Sequence, residues 1–255
     1  MSLGDHLREL RYRVVFSLVF IVLGMIVVAV FYNQVYMFLA QPWLYAKEIL
    51  RETNPELSTQ MVLSGVASPL MLALKICGVG GLVLTSPIWL YQVWAFIVPA
   101  LMAKEKRWAL IFIAVALPLF LAGVAIGYLV LPQGVSVLMA FTPQSVPITN
   151  LIEIDKFLEL MLQLMVVFGI GFLLPVVVVG ANFVGVLKAS QLAKARTYVI
   201  FGTFVFGAAA TPSTDPFSMC ALAIPMSLLF IVAEVVCRAH DKRKARKAAA
   251  EPATT

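Results

Sequence analysis

Apolar residues along this chain gather into long unbroken runs, with polar residues confined to short stretches between them. Six runs stand out, at about residues 14–35, 70–97, 108–131, 157–183, 198–210 and 217–237. A helix rises about 1.5 Å per residue and a bilayer hydrocarbon core is about 30 Å thick, so about 20 apolar residues cross it. The pattern therefore predicts an all-α polytopic membrane protein with six transmembrane helices. The second run is unusually long. The fifth has about 13 apolar residues, roughly 20 Å of helix, and must be met by a thinned bilayer or shielded by partner helices.

The polar stretches carry structure of their own. Near the start, Ser2 and Asp5 have capping-box spacing, and Leu3, Leu7, Leu10 and Val14 form an apolar stripe at helical spacing. A short amphipathic helix at the membrane surface is expected, with Asp5 and Glu9 one turn apart on another face. The stretch "QPWLYAKEILRETNP" places Pro42 where a first helical turn tolerates it and ends on Asn54-Pro55, so a short helical cap over the bundle is expected.

Composition agrees with the pattern. Of 255 residues, 62% are hydrophobic and 13% charged, about half the charge of an ordinary soluble domain. A net charge of +6 would suggest nucleic acid in a soluble protein; here its placement matters more. Lys and Arg crowd residues 8–13, 104–107, 188–196 and 238–247, whereas the alternate segments hold only Lys47, Arg51 and Lys156, with Lys75 just inside a span. The positive-inside rule puts both termini in the cytoplasm. The first run is longer than a signal-peptide core and is followed by no small-residue cleavage site, so it reads as a retained anchor. Residues 1–238 form the membrane domain, and the basic tail 239–255 is expected to be disordered and drawn to anionic lipid.

Candidate chemistry is sparse. His6 and His240 lie at opposite ends, the three cysteines have no metal or redox spacing, and no phosphate loop or nucleophile motif occurs. No catalysis, cofactor or metal is expected. Lys75 can snorkel to the interface, and Glu234 has Arg238 at i+4 as a simple partner. "GVAIG", residues 123–127, matches small-residue helix packing and is assigned no role. Pro87, Pro118, Pro175 and Pro225 fall within spans and predict curved helices. Glu9 and Glu105 stand out as acids among cations at the inner surface. Local pairing, Glu9 with Arg13 and Asp5 with Arg8, is the simpler reading of the first of these clusters.

Three stretches change that balance: "HLRELRYR" (6–13), "SPIWLYQVWAFIVPAL" (86–101) followed by "KEKR", and "TPSTDPFSMCALAIPM" (211–226). In order and spacing they resemble the TatC family, the six-helix core of the twin-arginine protein translocase, over residues 3 to about 238. The resemblance implies a receptor for folded exported proteins whose signals carry two adjacent arginines. It implies signal-peptide contacts at Glu9, Glu105, Arg11 and Gln92, and partner contacts near Thr211, Asp215, Val205 and Ala208. The implied partners are TatA-type and TatB-type single-span proteins, twin-arginine signal peptides, lipid and further copies of the chain, with passage driven by the proton-motive force. Leu173 stands where many members carry glutamate, and Met219 where glutamine is frequent, so roles of those polar groups do not carry over. The competing reading is a small-solute secondary transporter; the absence of internal repeats and of midplane charges weighs against it.

Overall fold

The computed structural model describes residues 3–53, 59–97, 106–139, 150–210 and 216–250. Eight helices appear among them: α1 (Leu3–Val30), α2 (Tyr32–Thr53), α3 (Ser68–Leu84), α4 (Ser86–Ile97), α5 (Lys106–Met139), α6 (Ile154–Phe183), α7 (Ala189–Ala210) and α8 (Pro216–Ala250). Four of them, α1, α5, α6 and α8, are long and apolar enough to cross a membrane. The pair α3 and α4 is bent by 61° and makes a fifth span if taken together. The protein is a multi-pass membrane protein; α7 runs 22 residues rather than the 13 of the apolar run 198–210, because the more polar residues 189–197 join the same helix.

Several boundaries differ from the sequence reading. The amphipathic N-terminal segment is not a separate surface helix; it runs straight into the first span as α1. Its stripe of leucines joins the apolar run without a glycine or proline to stop it. The run 70–97 is not one long helix, because Pro87 has no N–H to give to the carbonyl of Val83 and biases Ser86 out of helical geometry. Thr85 closes the break. Its N–H and its Oγ1 both donate to Gly81 O, at 3.0 and 2.8 Å, and the Trp89 indole donates to Leu82 O at 2.9 Å. Two carbonyls of the last turn of α3, Gly81 and Leu82, are thereby bonded.

Pro42 lies inside α2 rather than at its start. A proline there orphans the carbonyl four residues earlier, that of Phe38. Tyr128 on α5 supplies the missing donor: its hydroxyl reaches Phe38 O at 2.8 Å, and the two rings stack with centroids 4.8 Å apart. The sequence shows helix alone, but Thr59–Val62 (β1) and Asn150–Glu153 (β2) form a small parallel ladder, Thr59 opposite Asn150 and Val62 opposite Glu153. It joins the segment between α2 and α3 to the one between α5 and α6. The basic segment from residue 239, expected to be disordered, continues α8 as helix to Ala250.

The core sits where α5 crosses α6, with Phe120, Phe168, Leu158, Met161 and Leu164 fully buried. Glycine makes the crossing possible. A Cβ on Gly123 would stand 2.5 Å from Phe168 O, and one on Gly127 2.8 Å from Leu164 O. The small-residue pair given no role from sequence is the contact seam of this crossing.

Candidate functional site

At the end of the bundle that carries the N-terminus, Arg13 gathers two elements. Its Nε and Nη2 donate to Glu9 Oε1 at 3.0 and 2.7 Å, and its Nη1 donates to Gln92 Oε1 at 3.0 Å. Glu9 and Arg13 lie one turn apart on α1, while Gln92 comes from α4, 79 residues on. The pairing of Glu9 with Arg13 is therefore present, and it is more than a local bridge: it ties α1 to α4. Side-chain exposures of 27% for Glu9 and 21% for Arg13 place the pair in a half-buried setting that solvent still reaches. Both bonds from Arg13 fall on Oε1.

Of the other residues singled out in the sequence, Arg11 is exposed on α1. Glu105 lies outside the described residues, in the segment that follows α4. Thr211 and Asp215 also lie outside them. Val205 and Ala208 are exposed on α7, where Tyr198, Phe201 and Val205 stand 80, 69 and 51% exposed. At i, i+3, i+7 and i+10 these four make one apolar stripe.

Three polar contacts were not legible beforehand. Lys75 does not simply snorkel; its Nζ meets Glu159 of α6 at 2.7 Å. With Gln163 they lie in a concavity of about 820 Å³ that reaches Met25 on α1 and Ala209 on α7. Glu234, 1% exposed, is shared: Arg196 of α7 donates through Nε and Nη2 at 2.9 and 3.0 Å, and Arg238 donates at 2.5 Å. Asp241 of α8 accepts from the Ala189 N–H at 2.8 Å and from Asn182 at 3.1 Å, capping α7 from a neighbouring helix. The i+4 partner of Glu234 was visible in the sequence, but the cross-helix partners depend on the packing of α6, α7 and α8. Among the described residues no group of acids, histidines and cysteines could hold a metal.

Residues 5–225 match the family described as Sec-independent protein translocase protein (TatC). The chain belongs to the TatC family. TatC from Frankia casuarinae is 33% identical over 99% of this chain and 70% of its own length. TatC from Aquifex aeolicus is 31% identical over 96% of this chain and 98% of its own. A crystal structure titled as the twin-arginine translocase receptor TatC in the detergent DDM superposes with a TM-score of 0.77 at 31% identity, covering 91% of this chain and 99% of that one. Membership bears out the family resemblance read from the three sequence stretches and disfavours the solute-transporter alternative. It makes the chain a component of a protein translocase in the cell membrane.

Proposed function

We propose that this TatC-family chain is the receptor subunit of a twin-arginine translocase, binding the arginine pair of export signals at the cytoplasmic surface. The observation that carries this reading is the tie from Glu9 through Arg13 to Gln92. It holds an N-terminal acid of α1 beside α4, after which the sequence carries Glu105, at an end of the bundle rich in Lys and Arg. A guanidinium is planar and forked, matches a carboxylate with two bonds, and forms charge-assisted bonds about twice as strong as neutral ones. Two arginines need two acids, and Glu9 and Glu105 supply them; Arg11 and Gln92 line the same surface. Surrounding cations keep the site from taking basic proteins at large.

Six crossings, with α3 and α4 as one bent span and α7 as the fifth, bring both termini to the cytoplasm in accord with the Lys and Arg distribution. The exposed stripe of α7, with Val205 and Ala208, and the adjacent Thr211 and Asp215, is the docking surface for single-span TatA-type and TatB-type partners. These assemble with further copies of the chain, and the proton-motive force drives passage. The chain itself catalyses no reaction. To test the receptor reading, a photoreactive Arg-Arg signal peptide is added to inside-out membrane vesicles holding the chain. Capture at positions flanking Glu9 and Gln92 supports it. Capture only at the opposite membrane face, or none while the chain alone transports a small solute, overturns it.

A further inference from the structure

The free receptor has an arginine of its own on the acid that would read a ligand's arginine. We propose that Arg13 is a resident occupant of Glu9, displaced by the incoming signal, and that Gln92 holds it there. The inference rests on the reading of Glu9 as a ligand-binding acid.

Three features of the contact support it. Arg13 engages Glu9 through Nε and Nη2 together, the edge of the guanidinium with which arginine grips a carboxylate. Its remaining amino group is spent on Gln92 Oε1 at 3.0 Å, so a side chain from another helix fixes the occupant in place. Glu9 nevertheless stays more than a quarter exposed, and neither bond from Arg13 falls on Oε2. A second guanidinium can thus begin on Oε2 and complete its grip as Arg13 lets go. The exchange neither strands a bare carboxylate in the resting state nor requires the ligand to desolvate one, which would be costly at a half-buried site. When Arg13 leaves, the α1–α4 tie through Gln92 breaks, and a binding event at the surface loosens the junction of two membrane helices.

Competition of this kind has a definite signature. A resident occupant lowers the affinity of every ligand by the same factor, because each ligand must displace the same contact. It sets strength and leaves selectivity alone. A partly exposed bridge of this type is worth up to about 1 kcal/mol, which corresponds to about fivefold in affinity. If Arg13 instead aimed Glu9 at the ligand, its loss would weaken binding.

The experiment measures the affinity of a synthetic Arg-Arg signal peptide, and of its Lys-Lys counterpart, for the purified full chain. Arg13→Gln should tighten both by about threefold to fivefold, with their ratio unchanged. Arg13→Lys, which keeps the charge and loses the fork, should fall between. Arg8→Gln removes an equal charge more than one turn from Arg13, at a position for which no ion pair with Glu9 is seen among the described residues, and serves as the control for general electrostatics. The double variant Glu9→Gln with Arg13→Gln should bind no better than Glu9→Gln alone. Weaker binding by Arg13→Gln, or a gain no larger than that of Arg8→Gln, overturns the occupant. Should Glu9→Gln bind as wild type does, the underlying assignment of Glu9 fails. Weakened binding in Glu9→Gln without a gain in Arg13→Gln sinks the occupant alone.

Discussion

Gly123→Ala adds one methyl group at the place where α5 and α6 come closest. Built on the existing backbone, its carbon would lie 2.5 Å from the Phe168 carbonyl oxygen, 2.8 Å from that carbonyl carbon and 2.9 Å from Gly169 Cα, against 3.4–4 Å for ordinary contact. All three atoms are backbone, so no rotamer change relieves the clash, and the helices must part by about 1 Å, a gap that forfeits a quarter to a half of each packing contact along the seam. That seam includes Phe120, Phe168 and Leu164, all fully buried. Overpacking of this kind costs about 1–3 kcal/mol. Gly202→Ala on α7 is the matched control, since nothing lies within 4 Å of its added carbon. Both helices persist in the unfolded-in-membrane state, so helix propensity largely cancels, and the control should stay within about 0.5 kcal/mol of wild type. Equilibrium unfolding in mixed micelles of mild and denaturing detergent, followed by the fluorescence of the four tryptophans, reads both. Equal stabilities for Gly123→Ala and Gly202→Ala would refute the close-packed seam.

Tyr128→Phe should cost about 1 kcal/mol in the same assay, the net worth of one hydrogen bond, while keeping the ring stack. Pro42→Ala in that background should restore most of the loss by returning an N–H to Phe38 O, and no rescue would mean the hydroxyl is not replacing a helical bond. In a cysteine-free background, Val66→Cys should react with an impermeant thiol reagent applied outside intact cells, and Ser190→Cys should not; the reverse pattern would invert the topology. Photocrosslinkers at Val205 or Ala208 should capture a single-span partner. Capture of lipid alone there, with the partner found on α5, would displace the docking surface.

Element type was readable from hydrophobic run length, because in a bilayer every backbone group must be paired within its own segment and a run of apolar residues has few alternatives to helix. Breaks were less readable. Pro87 and Pro42 look alike in sequence, yet one bends its chain by 61° and the other sits within a continuous helix. At Pro42 the orphaned Phe38 carbonyl is met by Tyr128, 90 residues on from Phe38, and no local pattern contains that partner. The short parallel ladder was invisible for the same reason, its two strands being separated by three helices. At the site, Glu9 and Gln92 were legible through motif resemblance, whereas the bonds that join them depend on how α1 meets α4. The glutamate Glu159 was missed because its partner Lys75 seemed satisfied by reaching the interface; the packing of α3 on α6 decides otherwise.

The central claim is that acids at the cytoplasmic surface read an arginine pair, and a peptide-binding matrix tests it most directly. Wild type, Glu9→Ala and Glu105→Ala are each titrated with an Arg-Arg signal peptide and its Lys-Lys counterpart at one fixed salt concentration. A charge-assisted bond is worth about 1.5–3 kcal/mol, so each substitution should weaken Arg-Arg binding by at least about tenfold, or about 1.4 kcal/mol. Because lysine lacks the fork, the Arg-Arg advantage over Lys-Lys should shrink in both variants. An Arg-Arg to Lys-Lys ratio that stays at its wild-type value in both would contradict the claim and leave the two glutamates as local salt-bridge partners.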